Sequence, residues 1–503
     1  ASSCRAVGRK FMDQDFPPTS KSLFVNASRP SCASRMPQEA TWRRASELVA
    51  ADAVAGLQCP EESRLRPGAI DDTCFLSAVS LLRAFQGAPE RLVVYADLVA
   101  GVVGVRLFKD GEWVYEVIDD FLPCCVPPCS STSSSTPGVL ELACGRSTDP
   151  SEVWLALVEK ANAKIHGSYE AVQRSTELEA LEDITGGAVR RLDRREMSSG
   201  KAFARDLRMR QQLGALHLAV RRRERKGEES ACGLLGGRGY PLIACDDSCF
   251  RLENPWALAR QQFTEGSEED SPESFSMEVS EVLDTCSEIL EVRMPLADWL
   301  CYRVHLSTDR PSYPLMSARG VTQCMLMACQ PDRRWSRQDS YLNGLGFRVY
   351  RCRFRAPPTG ILGRRQDPTA NPFEHLELVC KRPLGKFRSI CVEFTMEPSA
   401  LYVVVTDTQY RCPRCVLRFA CSMDVSFREL SAPEAGHFLV AQAGAVDCCA
   451  PAPAAPVALQ RCGSESSTEA SGGVPEWRAE SIRRCGPEQG GFRPGGWFFG
   501  GCI

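Results

Sequence analysis

Apolar residues recur at helical spacing after Asp72, and this pattern predicts a helix that starts there. Its apolar face comprises Cys74, Phe75, Ala78, Val79, Leu81 and Leu82. Polar residues directly before such a face are typical of a helix N-terminus, so Cys74 is predicted to lie in the first helical turn. The same spacing predicts a second helix from about Glu152 to Ile165, which Gly167 ends.

Alternation of apolar and polar residues predicts strands elsewhere in the first half of the chain. Val102 to Phe108 and Trp113 to Ile118 flank an Asp-Gly turn, which is the usual sign of a β-hairpin. Two further strands, Tyr240 to Ala244 and Cys249 to Leu252, precede the corner Asn254-Pro255-Trp256.

A second, all-β domain is predicted at about residues 315–425, because alternating segments follow one another there. These segments are Gly346 to Arg351, Glu377 to Cys380, Ser389 to Phe394, Ala400 to Thr406 and Val416 to Cys421. A sandwich of two sheets is the expected architecture. Residues 444–503 are rich in Ala, Pro, Gly and Ser and lack periodicity, which predicts a disordered or loosely packed low-complexity tail.

Composition restricts the class of protein. The 503 residues include 60 Lys and Arg against 63 Asp and Glu, and a formal charge of −3 gives no reason to expect a nucleic-acid partner. We find no secretory signal and no uninterrupted apolar stretch that could form a transmembrane segment, so we expect an intracellular, cytoplasmic protein. In that reducing compartment most of the 26 cysteines are expected to be buried thiols.

Several ordered motifs support a more specific interpretation. In chain order they are Asp15-Phe16-Pro17-Pro18, Thr41-Trp42-Arg43-Arg44, Gly111-Glu112-Trp113-Val114, Asp119-Asp120-Phe121-Leu122-Pro123, Trp154 to Ala161 with Ala163 to Ala171, Leu181 to Gly187, and Arg251 to Trp256. Their order and spacing resemble the catalytic region of the calpains, which are papain-like cysteine endopeptidases controlled by calcium. The resemblance covers residues 11–306.

This resemblance implies an α+β fold in which a papain-like core of two subdomains precedes the β-sandwich. The helical subdomain would span about residues 11–188, and the sheet-rich subdomain about residues 189–306. The sandwich is expected to be abbreviated, because little sequence lies between His305 and Val321, where the family has further strands.

Three positions of the calpain active site follow from the resemblance. Cys74 takes the position of the nucleophile, and Asn254 that of the amide that orients the catalytic imidazole. The family's Gly-His-Ala-Tyr matches Gly237-Arg238-Gly239-Tyr240, which puts Arg238 at the position of the base. A guanidinium stays protonated and has no acceptor atom, so it cannot take the proton of a thiol. His217 is the candidate substitute base, although its neighbours predict a core strand.

The oxyanion-hole glutamine of the family is also missing. Depending on the register, Gly68 or Pro67 stands in its place, and neither side chain offers a hydrogen-bond donor. Asp71 and Asp72 add negative charge before Cys74, which opposes formation of a thiolate wherever they lie close to it.

Calcium is implied by the resemblance alone. The sequence contains no EF-hand loop, and Glu182 is the one carboxylate that we assign as a calcium ligand. The acidic run from Glu265 to Glu273 is more typical of a solvated loop than of a site. No zinc site is expected, because Cys412-Pro413-Arg414-Cys415 lacks a second pair of ligands at a suitable distance.

The sequence therefore favours a calpain homologue with a degenerate catalytic site that binds or regulates other proteins, whose identity it does not specify. The alternative is an active, calcium-responsive cysteine endopeptidase that performs limited proteolysis of protein substrates with Cys74 as nucleophile.

Overall fold

A computed structural model of the protein describes residues 1–28, 40–49, 63–70, 72–86, 91–126, 140–149, 151–173, 175–192, 200–222, 234–256, 274–296, 298–306, 313–332, 344–353, 373, 376–398, 400–408, 415–444 and 482–485. The chain divides into two compact units. The first comprises Ala1–Pro295, Pro331–Leu342 and Arg388–Ile390, and the second comprises Leu296–Gln330, Asn343–Phe387 and Cys391–Ile503.

The first unit combines helices with small antiparallel sheets. Its described helices are α1 (Ser2–Val7), α2 (Ser20–Leu23), α3 (Ala45–Leu48), α4 (Thr73–Gln86), α5 (Trp154–Ile165), α6 (Tyr169–Val172), α7 (Glu177–Thr185), α8 (Gly200–Gln212) and α9 (Val279–Thr285). Its described strands are β1 (Thr41–Arg44), β2 (Leu65–Arg66), β3 (Val93–Asp97), β4 (Val102–Lys109), β5 (Glu112–Asp119), β6 (Phe121–Cys125), β7 (Glu141–Leu142), β8 (Arg146–Ser147), β9 (Ala188–Arg191), β10 (Leu216–Arg221), β11 (Gly239–Cys245), β12 (Cys249–Glu253), β13 (Ser274–Glu278) and β14 (Cys286–Arg293).

The largest sheet of this unit has the strand order β13-β12-β11-β10-β14-β9, and its neighbours pair antiparallel. Smaller sheets are ordered β1-β6-β7, β2-β8 and β3-β4-β5. Helix α4 packs against α7 and against strands β10 and β11. The helix that carries Cys74 thus lies in contact with the sheet that carries Arg238 and Asn254.

The helix and hairpin predictions for this unit are confirmed. In α4, Phe75, Val79 and Leu82 are fully buried, as the predicted apolar face requires. The hairpin is β4 paired with β5, with Lys109 opposite Glu112. Its two turn residues, Asp110 and Gly111, have φ of 52° and 87°, the left-handed conformation that a tight hairpin turn needs at both positions.

The second unit is a β-sandwich with one helix among its described residues, α10 (Ala432–Gly444). Its strands are β15 (Leu300–Leu306), β16 (Pro314–Ala318), β17 (Thr322–Cys329), β18 (Leu345–Arg353), β19 (Leu376–Gly385), β20 (Ser389–Met396), β21 (Ala400–Thr408), β22 (Cys415–Cys421), β23 (Val425–Glu429) and β24 (Ile482–Cys485). They form two sheets, ordered β20-β17-β22-β15-β24 and β19-β18-β21-β16-β23. The five strands predicted from alternation are confirmed as β18 to β22.

Several features of the second unit differ from the expectation. β15 lies within the range assigned to the catalytic region, yet it pairs with β22 of the sandwich. β16 lies in the short interval between His305 and Val321, for which no strand was predicted, and it pairs with β21 and β23. β24 lies within the predicted tail and pairs with β15; the rest of residues 445–503 is outside the described part of the chain. The basic residues 223–226 and the acidic run 265–273 are outside it as well.

Helix α10 was not predicted, although its first turn carries a recognisable cap. The backbone N–H and the hydroxyl of Ser431 donate to the Glu434 carboxylate at 2.9 and 2.8 Å, as the returning half of a capping box does. The Arg428 guanidinium donates to the same carboxylate at 2.6 and 2.7 Å. The helix then buries Phe438 completely, with its ring centroid 5.5 to 5.7 Å from those of Tyr313, Tyr350 and Phe373.

None of the helices in the described ranges has the length and apolar character that crossing a membrane requires.

The aromatic cluster leads to a first prediction. Phe438→Ala should lower the free energy of unfolding by about 3–5 kcal/mol, because it removes a fully buried ring from three aromatic neighbours. Leu439→Ala is the matched control, since the neighbouring Leu439 is 45% exposed. Denaturant unfolding of the full chain measures both, and equal losses in the two variants would contradict the assigned packing.

The cap leads to a second prediction, on pH. The hydrogen bonds from Arg428 and Ser431 lower the pKa of Glu434 to about 2, below the ordinary value of 4.5. The stabilisation that ionised Glu434 gives to the folded state is therefore complete above about pH 4.5, and it is lost as the pH falls towards 2. The difference in unfolding free energy between the natural chain and Glu434→Gln should be below about 1 kcal/mol at pH 7, because the pair is solvent-accessible, and should vanish at low pH. A difference that stays constant with pH would refute the pairing.

Candidate active site

Cys74 is the second residue of α4, and its thiol is half-buried and not in a disulfide. The helix starts here because the carbonyl of Asp72 accepts the N–H groups of Phe75 and Leu76 at 2.9 and 3.2 Å. Asp72 is therefore the N-cap, a position that favours Asp. A thiol in the first turn lies at the positive end of the helix dipole, which stabilises negative charge.

Strand β11 approaches this helix one turn beyond Cys74. The backbone N–H of Gly239 donates to Ser77 Oγ at 3.0 Å, while Ser77 Oγ donates to the carbonyl of Thr73 at 2.7 Å. A Cβ at Gly239 would lie 2.7 Å from the Cβ of Ser77, so only glycine fits without a shift. Arg238 directly precedes this contact, and the structure thus places it beside the helix of Cys74.

Trp256 connects Arg238 with Asn254. The indole N–H of Trp256 donates to the carbonyl of Gly239 at 3.2 Å, and the backbone N–H of Trp256 donates to Asn254 Oδ1 at 3.2 Å. The guanidinium carbon of Arg238 lies 5.0 Å from the centroid of the Trp256 ring, which is a cation–π distance. Asn254 is buried. The positions assigned to the base and to the orienting amide therefore contact the same residue, Arg238 through the indole ring of Trp256 and Asn254 through its backbone N–H.

Of the three positions assigned from the resemblance, Cys74 lies in the first turn of α4, and Arg238 and Asn254 both contact Trp256. A guanidinium at position 238 can offer positive charge and donors but cannot accept a proton.

Comparison with known proteins identifies the family of the chain. The profile of the calpain family cysteine proteases matches residues 11–286, more than half of the chain. The chain belongs to the calpain family.

Its similarity to individual relatives is moderate and covers only part of them. It is 31% identical over 264 residues to the calpain-type cysteine protease ADL1 of Oryza sativa subsp. japonica and to the calpain-type cysteine protease DEK1 of Arabidopsis thaliana. Each match covers 50% of this chain and 12% of the relative. It is also 29% identical over 293 residues to calpain-9 of Rattus norvegicus, a match that covers 56% of this chain and 39% of that one.

Gly68, one of the two positions that the resemblance assigns to the oxyanion glutamine, lies tightly against another stretch of backbone. A Cβ at Gly68 would lie 2.1 Å from the backbone oxygens of Ala143 and Cys144. The adjacent backbone is fixed, since the N–H of Ile70 donates to the same Ala143 oxygen at 3.0 Å. A glutamine side chain cannot be accommodated at position 68 in this backbone, and Pro67, in the other register, has no donor.

Buried Asp72, two residues before Cys74, acts electrostatically on Glu159, which is also buried and accepts the N–H of Gly145 at 2.7 Å. Burial, reinforced by the charge of Asp72, raises the pKa of Glu159 well above its ordinary value. Asp71 lies outside the described residues.

His217 lies in the core of the large sheet. Its Nε2 is 3.2 Å from Glu291 Oε2, directly opposite on β14, and the imidazole is fully buried. Burial lowers the pKa of His217, which favours the neutral ring. Burial would raise the pKa of Glu291, but the hydrogen bond from His217 and the charge of Arg190 lower it below its ordinary value.

The alternation of β10 also sets the direction of His217. Leu218, the next residue, has its side chain against Gly239 on the face where Ser77 and α4 lie. Because successive side chains of a strand point to opposite faces, His217 points away from that face. His217 and Glu291 thus pair on the face of the sheet opposite to the one on which α4 lies.

Glu182, the assigned calcium ligand, is engaged by a buried guanidinium. Arg388 Nε and Ser389 Oγ donate to Glu182 Oε2 at 3.2 and 2.7 Å. Arg388 Nη1 lies 2.8 Å from Asp183 Oδ1 and 3.2 Å from Asp332 Oδ2. All of these side chains belong to the first unit, and the Arg388 side chain is 5% exposed.

His166 completes this cluster. Its Nδ1 donates to the carbonyl of Asn162 at 2.8 Å, and its Nε2 lies 2.9 Å from Asp332 Oδ2. The potential metal-ligating atoms of His166, Asp183 and Asp332 lie within 4.8 Å of one another, as the ligands of one metal ion can. Calcium needs six to eight oxygen ligands, and here Arg388 already supplies the positive charge. The residues around Glu182 therefore do not fit the calcium that the family implies.

Sequence reasoning missed the partners of Glu182 because they are remote in the chain. Arg388 is more than two hundred residues away, in a stretch that predicts only a strand. Ser77 and Glu159 were missed for a different reason, since each fits an amphipathic helix without any special role.

Arg388 yields the third prediction. Arg388→Leu should destabilise the first unit by about 3–5 kcal/mol, because it leaves Glu182, Asp183 and Asp332 buried without their guanidinium. Arg205→Leu is the control, since Arg205 pairs with Asp247 on the surface of the same unit and should matter little. Urea unfolding compares the two variants, and a tolerated Arg388→Leu would show that the cluster does not depend on this cation.

Proposed function

We propose that the protein is a calpain homologue whose catalytic site is degenerate, with peptide hydrolysis lost or strongly impaired, and that it binds or regulates other proteins. The observation that carries the proposal is the position of Arg238. The resemblance assigns Arg238 to the position of the calpain base, and Arg238 lies next to the Gly239–Ser77 contact and over the ring of Trp256.

The expected loss of rate is large. A general base contributes roughly 10² to 10⁴ in rate, and one oxyanion donor roughly 10² to 10³. The two effects do not multiply simply, because groups that act as a unit are not additive. The position that the resemblance assigns to the base holds a cation, and neither Gly68 nor Pro67, the two positions assigned to the oxyanion glutamine, offers a side-chain donor. Either change alone accounts for a severely impaired protease.

The placement of His217 supports the same proposal. A substitute base must come within hydrogen-bond reach of the thiol, directly or through one water. His217 is buried, bonded to Glu291 and directed away from the face on which α4 lies. Recruiting it would require the large sheet to rearrange.

The alternative function is an active cysteine endopeptidase, and one observation favours it. Cys74 remains half-buried at a helix start, where a nucleophile is expected, instead of being absorbed into the core. The same thiol can serve a binding protein, so activity must be measured directly.

The fourth prediction tests these functions on the full chain with a fluorogenic peptide and with casein, each with and without calcium. Turnover by the natural chain should equal that of Cys74→Ala. Arg238→His should gain Cys74-dependent turnover of up to about 10²-fold, because it restores the base but not the oxyanion donor. Arg238→Gln removes the charge without adding a base and should gain nothing.

Two results would contradict the proposal. One is turnover by the natural chain that Cys74→Ala abolishes and that matches an active calpain assayed in parallel. The other is turnover that His217→Gln abolishes and Arg238→His leaves unchanged, which would assign the base to His217.

A further inference from the structure

Two cysteines face each other in the second unit, on neighbouring central strands of one sheet. Cys324 of β17 is paired in register with Cys421 of β22, in an antiparallel ladder. Their Sγ atoms are 3.6 Å apart, and both residues are buried.

The backbone there already has the geometry of a disulfide. Directly opposed residues of an antiparallel pair have Cα atoms about 4.5 to 5.5 Å apart. Disulfides accept Cα separations of about 4.4 to 6.8 Å. Rotation of the two side chains is therefore enough to bring the sulfurs to bonding distance, with no change in the strand pairing.

In the same ladders, Cys329 of β17 is opposite Val416, and Cys415 of β22 is opposite Leu306 of β15. Cys301 of β15 is opposite Cys485 of β24, so register alone does not single out one pair. For Cys324 and Cys421, the register is joined by the 3.6 Å distance between their Sγ atoms and by the burial of both residues.

We propose that Cys324 and Cys421 form an intrachain disulfide when the protein meets a low-molecular-weight disulfide such as oxidised glutathione. One cysteine thiolate attacks the glutathione disulfide and releases one reduced glutathione. The second cysteine thiolate then attacks the mixed disulfide and releases the other. Two protein thiols are oxidised to one S–S bond, and one glutathione disulfide is reduced to two thiols, which receive the two protons.

The burial of Cys324 and Cys421 and their separation in the chain determine how fast the disulfide forms and how strongly it stabilises the fold. Burial raises the pKa of Cys324 well above its ordinary value, and the nearby thiols of Cys421 and Cys380 reinforce this. Reaction therefore needs a transient opening of β17 from β22. Once formed, the bond joins the two strands across a loop of about 100 residues and restricts the unfolded state strongly.

The test oxidises the full chain with excess oxidised glutathione, in buffer and in a urea concentration below the unfolding transition. Remaining thiols are alkylated, and peptides are mapped by mass spectrometry without reduction. We expect a peptide that links Cys324 to Cys421, formed faster in urea. It should be lost in Cys324→Ala and in Cys421→Ala and kept in Cys329→Ala, the matched control on the same strand.

Thermal unfolding gives a second readout. Oxidation should raise the midpoint of the natural chain and of Cys329→Ala by about 5 °C or more, and should leave Cys324→Ala unchanged. Two outcomes would overturn the proposal: both thiols remain open to alkylation after unfolding of the oxidised chain, or Cys324 is linked to another cysteine such as Cys380.

Discussion

The close approach of β11 to α4 at Gly239 is the contact on which the active-site frame depends. The strand lies so near the helix that a single added carbon would overlap Ser77. The backbone N–H and C=O of Gly239 are both used, one by the Ser77 hydroxyl and the other by the Trp256 indole. Because backbone groups make these bonds, the frame holds whatever side chain stands at position 238. The contact between β11 and α4 therefore does not require a particular side chain at position 238.

The contacts of Arg238 differ from those expected of a catalytic histidine at the same position. A histidine at this place would be expected to interact with Cys74 and Asn254, whereas the arginine lies over the Trp256 ring. Such stacking contributes about 0.5 to 1 kcal/mol at a partly exposed site, so the substitution keeps some stabilising contact. At Gly68, the backbone oxygens of Ala143 and Cys144 occupy the space that a side chain would need.

Local patterns predicted much of this structure, and remote contacts were what they could not predict. The β4–β5 hairpin and α4 follow from alternation, spacing and an Asp-Gly turn, all of which act within a few residues. The spacing of Ser431 and Glu434 would have predicted α10 had it been recognised as a cap. The tight contact of Gly68 with the backbone of Ala143 and Cys144 and the partners of Glu182 depend on segments far away in the chain, and no local signal encodes them. The family resemblance placed Cys74, Arg238 and Asn254, but it carried no information on the direction of His217.

The Arg388 cluster limits where calcium can act on this protein. Three carboxylates share one buried guanidinium, which donates to Glu182, to Asp332 and to the carbonyl of Glu179. A calcium ion at Glu182 would have to displace that guanidinium, and breaking a buried ion pair costs about 3–5 kcal/mol before the released arginine finds a new partner. A divalent ion would also add two positive charges beside a fixed cation. Any response of this chain to calcium must therefore arise from residues other than Glu182.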